Sequence, residues 1–146
     1  GDEGMVRALL GAGADANRAR PDGATAIYVS AHEGHDDVAR ALLEFRADPE
    51  RAVEDGGTAL IVAAQNGHDN VLGALVNARV ELNRPAGNGA TPLTMAAQNG
   101  HAPATRMLLE CGAETNRCRA DGATASDLAR IGGHNAVLEL LASAGA

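Results

Sequence analysis

A chain of 146 residues with a net charge of −7 and a pI near 5.1 is one compact domain or one short repeat array. Its acidic balance and lack of Lys exclude a nucleic-acid binder, which needs a dense basic face, and its longest unbroken apolar run, Ala59 to Ala64, excludes a membrane helix. With 32 alanines, 18 glycines, one Tyr, one Phe and no Trp, the core must bring backbones close across small side chains.

A fixed period organises the chain. Gly1, Gly34, Gly67, Gly100 and Gly133 recur every 33 residues, and His35, His68, His101 and His134 follow four of them. Thr25, Thr58, Thr91 and Thr124 keep the same step, as do Arg18, Arg51, Arg84 and Arg117. So do the turn pairs Asp22-Gly23, Asp55-Gly56, Asn88-Gly89 and Asp121-Gly122. Chance does not hold five residue types in phase, and such a period marks stacked units that bury their apolar faces against one another.

Taken in chain order, residues 1–17 predict one outer helix without an inner partner. The Asp22-Gly23 pair then predicts a tight hairpin with positive φ at both central residues. Thr25 predicts a helix N-cap, and Gly34 predicts the left-handed end of that short inner helix. An outer helix follows, with Val38, Ala41, Leu42 and Phe45 on its apolar face. The second unit repeats this with Thr58, Leu60 to Ala64, and the stripe Val71, Ala74, Leu75 and Ala78. In the third, Pro92 stands behind Thr91 at the first helical position, where its missing N–H costs nothing.

That third unit resembles the ankyrin repeat: Gly89-Ala90-Thr91-Pro92-Leu93-Thr94-Met95-Ala96-Ala97, Gly100-His101, Leu108-Leu109 and Gly112-Ala113-Glu114. The resemblance spans the whole chain and implies an all-α solenoid of antiparallel helix pairs joined by short β-hairpin-like loops. It implies a half repeat at 1–17, full repeats at 18–50, 51–83 and 84–116, and a C-terminal repeat at 117–146. Departures are specific. The family's His after Leu is Tyr28, Ile61, Thr94 or Asp127, so the hydrogen bond made there is absent or different. An Asp three residues before the turn Gly is replaced by Arg20, Val53, Ala86 and Arg119. The Gly ending the outer helix survives as Gly13 and Gly112 but is Arg46 and Arg79 in between. Left-handed backbone costs a non-Gly residue roughly 1–2 kcal/mol, so Arg46 and Arg79 are expected either at positive φ or at differently ended helices. No polar N-terminal cap is evident, whereas Ser126-Asp127 and Ala142-Ser143 make the C-terminal unit more polar. The chain therefore reads as a slice of a longer protein, truncated on its N-terminal side.

Chemistry-bearing constellations are weak. Histidines one repeat apart sit about 10 Å from each other, the helix-packing distance, too far to share a metal whose bonds are near 2 Å; each reads as a structural loop histidine. Cys111 and Cys118 occupy positions held elsewhere by Ala, so neither reads as a nucleophile beside His134 or Asp121, and their spacing leaves a disulfide open. Two cysteines without a secretory leader point to a reduced intracellular, cytoplasmic setting. Nucleotide-binding glycine motifs fail, since Gly11-Ala12-Gly13 lacks its third glycine and no Gly-Lys pair exists. No cofactor is expected. The arginine row follows the acids Asp15, Asp48, Glu81 and Glu114 by three residues and reads as surface ion pairs rather than an anion-binding stripe.

The resemblance implies that a partner protein contacts the hairpin tips and the exposed ends of inner helices along a concave face. By position these are Asp22, Tyr28, His32 and Glu33; Glu54, Asp55, Ile61, Gln65 and Asn66; Asn88, Thr94, Gln98 and Asn99; and Asp121 and Ile131. Of the residue types that dominate interfaces, only Tyr28 lies on this face, with Arg20 and Arg119 at its flanks. The expected function is non-catalytic protein binding, with a basic, hydrogen-bonding partner favoured and neither nucleic acid, membrane nor metal involved. A structural spacer or regulatory arm of a larger enzyme or assembly is the alternative.

Overall fold

The computed structural model describes residues 2–145; Gly1, the first of the periodic glycines, and Ala146 lie outside the described residues. The described residues form nine helices and no sheet. These are α1 (Glu3–Gly11), α2 (Ala26–Glu33), α3 (Asp36–Glu44), α4 (Ala59–Asn66), α5 (Asp69–Asn77), α6 (Pro92–Gln98), α7 (Ala102–Glu110), α8 (Ala125–Gly132) and α9 (Asn135–Ser143). Inner helices α2, α4, α6 and α8 stack in one row, and outer helices α1, α3, α5, α7 and α9 in another. Each inner helix also packs on the outer helix that follows it. This is an all-α solenoid of helix pairs.

Local chemistry starts and stops each helix. The hydroxyls of Thr25, Thr58, Thr91 and Thr124 each accept from the backbone N–H three residues on. Such a cap is worth about 1 kcal/mol. Gly34, Gly67 and Gly133 close α2, α4 and α8 in the left-handed conformation. Arg46 and Arg79 both have φ of 61°, so the helix end is kept at these two places and the strain is carried by arginine. At the first of them the N–H groups of Arg46 and Ala47 donate to the carbonyls of Leu43 and Leu42, closing the last turn of α3.

The core is built from small residues between leucines. Ala31, Ala39, Ala63, Ala64, Ala96, Ala97, Ala104, Ala125 and Ala129 are wholly buried, and Leu72, Leu75, Leu108 and Leu141 fill the space between rows. Burying each such leucine contributes roughly 1.5–3 kcal/mol before chain entropy is counted. The outer-helix stripe is narrower than its periodicity predicts. Phe45 is 40% exposed and Ala78 is also exposed; both are C-caps, just past the last residue of their helices. Ala39 and Leu72, which lie outside that stripe, are wholly buried.

The hairpins also differ from expectation. Only the glycines have positive φ: Gly23, Gly56, Gly89 and Gly122 lie between 79° and 83°, whereas the Asp or Asn before each does not. A bond from the Gly23 N–H to the Arg20 carbonyl, and another from the Arg20 N–H to the Ala24 carbonyl, make a three-residue loop with one left-handed glycine. Side-chain oxygens of Asp22, Asp55, Asn88 and Asp121 each accept from the N–H two residues on and hold the turn. The tips are joined to one another: Gly87 N–H donates to Asp55 O at 2.7 Å and Ala120 N–H to Asn88 O at 2.8 Å.

Three further rows of bonds tie each unit to the one before. His68, His101 and His134 place Nε2 3.0 Å from the carbonyls of His32, Gln65 and Gln98. Their rings lie over Gly34, Gly67 and Gly100, where a Cβ would stand 2.5–2.6 Å from the ring nitrogen. Side-chain oxygens of Asn17, Glu50 and Asn83 accept from the N–H groups of Asp48, Glu81 and Glu114. The arginine row corrects the ion-pair expectation. Arg51 donates to Asn17 O at 3.1 Å, and Arg84 donates to Glu50 O at 2.8 Å while meeting the Glu50 carboxylate at 3.4 Å. Only Arg117 pairs with the acid three residues before it, Glu114, at 2.8 Å. Reaching back one unit to a fixed carbonyl suits the long guanidinium better than folding onto a residue in its own turn.

Candidate interaction surface

Tips and inner-helix ends lie along one face, and most of the residues expected there are exposed. Asp22, His32, Glu33, Glu54, Asp55, Gln65, Asn88, Gln98, Asn99, Asp121 and Ile131 are exposed, while Tyr28 and Asn66 are half-buried. Two are buried. Ile61 is 5% and Thr94 1% exposed, so both belong to the stack. They occupy the same register as Tyr28, and side-chain length decides: tyrosine reaches out of the row, whereas Ile and Thr end within it. Thr94 completes a capping box instead, accepting from the Thr91 N–H at 2.8 Å and donating to the Thr91 carbonyl at 2.9 Å. The Asp127 side chain completes the box at Thr124 as an acceptor only, and the Thr124 hydroxyl and N–H that donate to it, with Arg130, hold its carboxyl below the usual carboxylate range.

Several exposed side chains already have partners. His32 Nδ1 meets Glu33 at 2.8 Å. Asn66 donates to His32 O and Asn99 to Met95 O. Gln98 accepts from Arg119 at 2.9 Å. Asp22 and Asp121 are each paired with the arginine two residues upstream, Arg20 at 3.3 Å and Arg119 at 3.2 Å. At the two middle tips that position holds Val53 and Ala86. Glu54 and Asp55 consequently meet no cation among the described residues, so the second tip carries uncompensated negative charge.

Beside them lies a groove of about 450 Å³, open to solvent, between the second and third tips. Tyr28, Asp55, Ile61, Gln65, Asn88 and Met95 are among its walls. Gly57 lies beside the Tyr28 hydroxyl, since a Cβ built there would fall 3.7 Å from Tyr28 Oη and 3.0 Å from Asp55 Oδ1. Partial burial, then the charges of Asp55 and Asp22, push the Tyr28 phenol above its usual range. Met95 and the Val53/Ala86 break in the arginine pattern were not read as parts of a site. The break was visible in the residue three before each turn glycine, and its charge consequence required the Arg20–Asp22 geometry.

Among the described residues no group of three or more His, Cys, Asp or Glu is placed to hold a metal ion, and each of His68, His101 and His134 is held against a carbonyl. Cys111 and Cys118 are exposed free thiols. No helix of the described residues is long and apolar enough to cross a membrane.

Curated proteins contain no match to this sequence. A family model described as "Ankyrin repeats (3 copies)" matches residues 1–86 and 74–146. With capped helix pairs stacked at a 33-residue period over the same span, the chain belongs to the ankyrin repeat family.

Proposed function

We propose that this chain is a non-catalytic module that binds a partner protein along the face of tips and inner-helix ends. Ankyrin repeats are generally protein–protein interaction modules and typically not enzymes. The observation that carries the reading is the groove beside Tyr28, where Asp55 meets no arginine while the equivalent acids at the outer tips, Asp22 and Asp121, do. Units of 18–50, 51–83 and 84–116, flanked by 1–17 and 117–146, divide the surface into tips of unequal charge. Exposed thiols at Cys111 and Cys118 suit a reducing, intracellular compartment.

The test is capture of proteins on the immobilised chain at rising ionic strength, beside an Asp55→Arg variant. Partners should be retained at low salt, released as screening lengths shorten to about 8 Å near physiological strength and below, and lost with the variant. An identical captured set for both proteins at every salt concentration would rule out this face.

A further inference from the structure

The four tips form an internal comparison. In the first and last, the turn Asp is met by an arginine two residues upstream, Arg20 to Asp22 and Arg119 to Asp121. In the second, Val53 stands in the arginine's place, and Asp55 lines the groove together with Tyr28. Resting on the proposed protein-binding role, we infer that this groove takes an arginine side chain from an exposed peptide segment of the partner, its guanidinium pairing with Asp55 and lying against Tyr28.

The chemistry fits a planar cation. No Arg or His lines the groove, whereas a carboxylate, an amide at Gln65, an amide at Asn88 and an aromatic ring do. A guanidinium can fork onto a carboxylate and lie on a ring at once, which an ammonium matches less well. Tyr28 Oη and Asp55 Oδ1 both lie within 4 Å of the point where a Cβ on Gly57 would stand, so the phenol end of Tyr28 and the carboxylate flank one spot, with Oδ1 held by the Gly57 N–H. Ile61, Val62 and Met95 supply apolar wall for the three methylenes of the incoming side chain. Negative potential from Asp55 and Asp22 at the ring, the source of part of the Tyr28 shift, acts in the same direction. Glu54, exposed at the same tip, adds long-range attraction.

The probe is a short synthetic peptide, Ac-Gly-Ser-Arg-Ser-Gly-NH2, with counterparts carrying Lys or the uncharged isostere citrulline. Binding is followed by NMR shifts of the Tyr28 ring and the Gly57 amide. The Arg peptide should bind more tightly than the Lys peptide, and the citrulline peptide at least tenfold more weakly than Arg. Two variants test the seat without removing the turn. Asp55→Asn keeps an acceptor for the Gly57 N–H, as Asn88 does for Ala90 one unit on. Val53→Arg restores the internal partner found at the outer tips. Both should weaken the Arg peptide tenfold or more, with far-UV circular dichroism unchanged. Equal binding of Arg and citrulline peptides, or full binding by either variant, would overturn the arginine seat. If captured partners are still lost with Asp55→Arg in that event, the broader interaction reading stands alone; if they are also retained, both fall.

Discussion

Replacing Gly67 by Ala should be more damaging than its size suggests, because two separate constraints meet there. Gly67 has φ of 69° at the end of α4, and left-handed backbone costs an L-residue about 1–2 kcal/mol. The new Cβ would also stand 2.6 Å from His101 Nδ1 and 2.7 Å from its Cε1. The imidazole must then leave its position 3.0 Å from the Gln65 carbonyl, and losing a hydrogen bond of this kind costs about 1 kcal/mol. Together these give a destabilisation of about 2–3 kcal/mol. Gly112 is the control: its φ is 90° and nothing lies within 4 Å of a built Cβ, so Gly112→Ala should cost only the backbone strain. The decisive measurement is a double-mutant cycle with His101→Ala, read from urea unfolding by far-UV circular dichroism. With the ring gone, the alanine at 67 costs strain alone, and the pair should be non-additive by about 1 kcal/mol. Equal losses for Gly67→Ala and Gly112→Ala, together with additivity in the cycle, would refute the latch.

Arg46 and Arg79, both at φ of 61°, should give the opposite sign: each change to Gly is expected to stabilise the chain by up to about 1 kcal/mol, seen as a higher thermal midpoint, and a lower midpoint for both would show that arginine carries no strain there. The carboxyls of Asp127, Glu114 and Glu44 are held below their usual ranges by Thr124, Arg117 and Arg7 respectively. Their stabilisation is therefore fully present above the unfolded-state pKa, near pH 4, and is lost as pH falls through each lower folded value. Asp127→Asn should flatten the acid limb of stability against pH; an unchanged limb in urea titrations would mean that the capping box contributes no proton linkage.

Much of the fold could be read from residues whose chemistry is local. The threonine caps, the glycine stops and the left-handed arginines depend on a few adjacent residues, and all stand where their neighbours require. The interaction face was less legible because position in the repeat does not settle exposure. Tyr28, Ile61 and Thr94 share one register, yet only the tyrosine is long enough to clear the row. The arginine row misled for a related reason: Asp48 is nearer to Arg51 in sequence, but the Asn17 carbonyl of the preceding unit is better placed in space. Charge on the face likewise depended on pairs. Counting Asp22, Asp55 and Asp121 as equivalent acids overlooked that two of them are paired with an arginine of their own turn.

Tyr28 is the only tyrosine and there is no tryptophan, so the near-ultraviolet emission of this protein comes essentially from one ring at the edge of one groove. Anything seated there changes that emission against no background from the rest of the chain. The same isolation makes the ring blind to distant events. Helices in this stack contact their own unit and the adjoining ones, so fraying of α8 and α9 would lower helical dichroism while leaving the phenol signal in place. Superimposable unfolding curves from the two optical probes would mean that the units melt together, and a dichroism loss that precedes the emission change would locate the weaker end of the array.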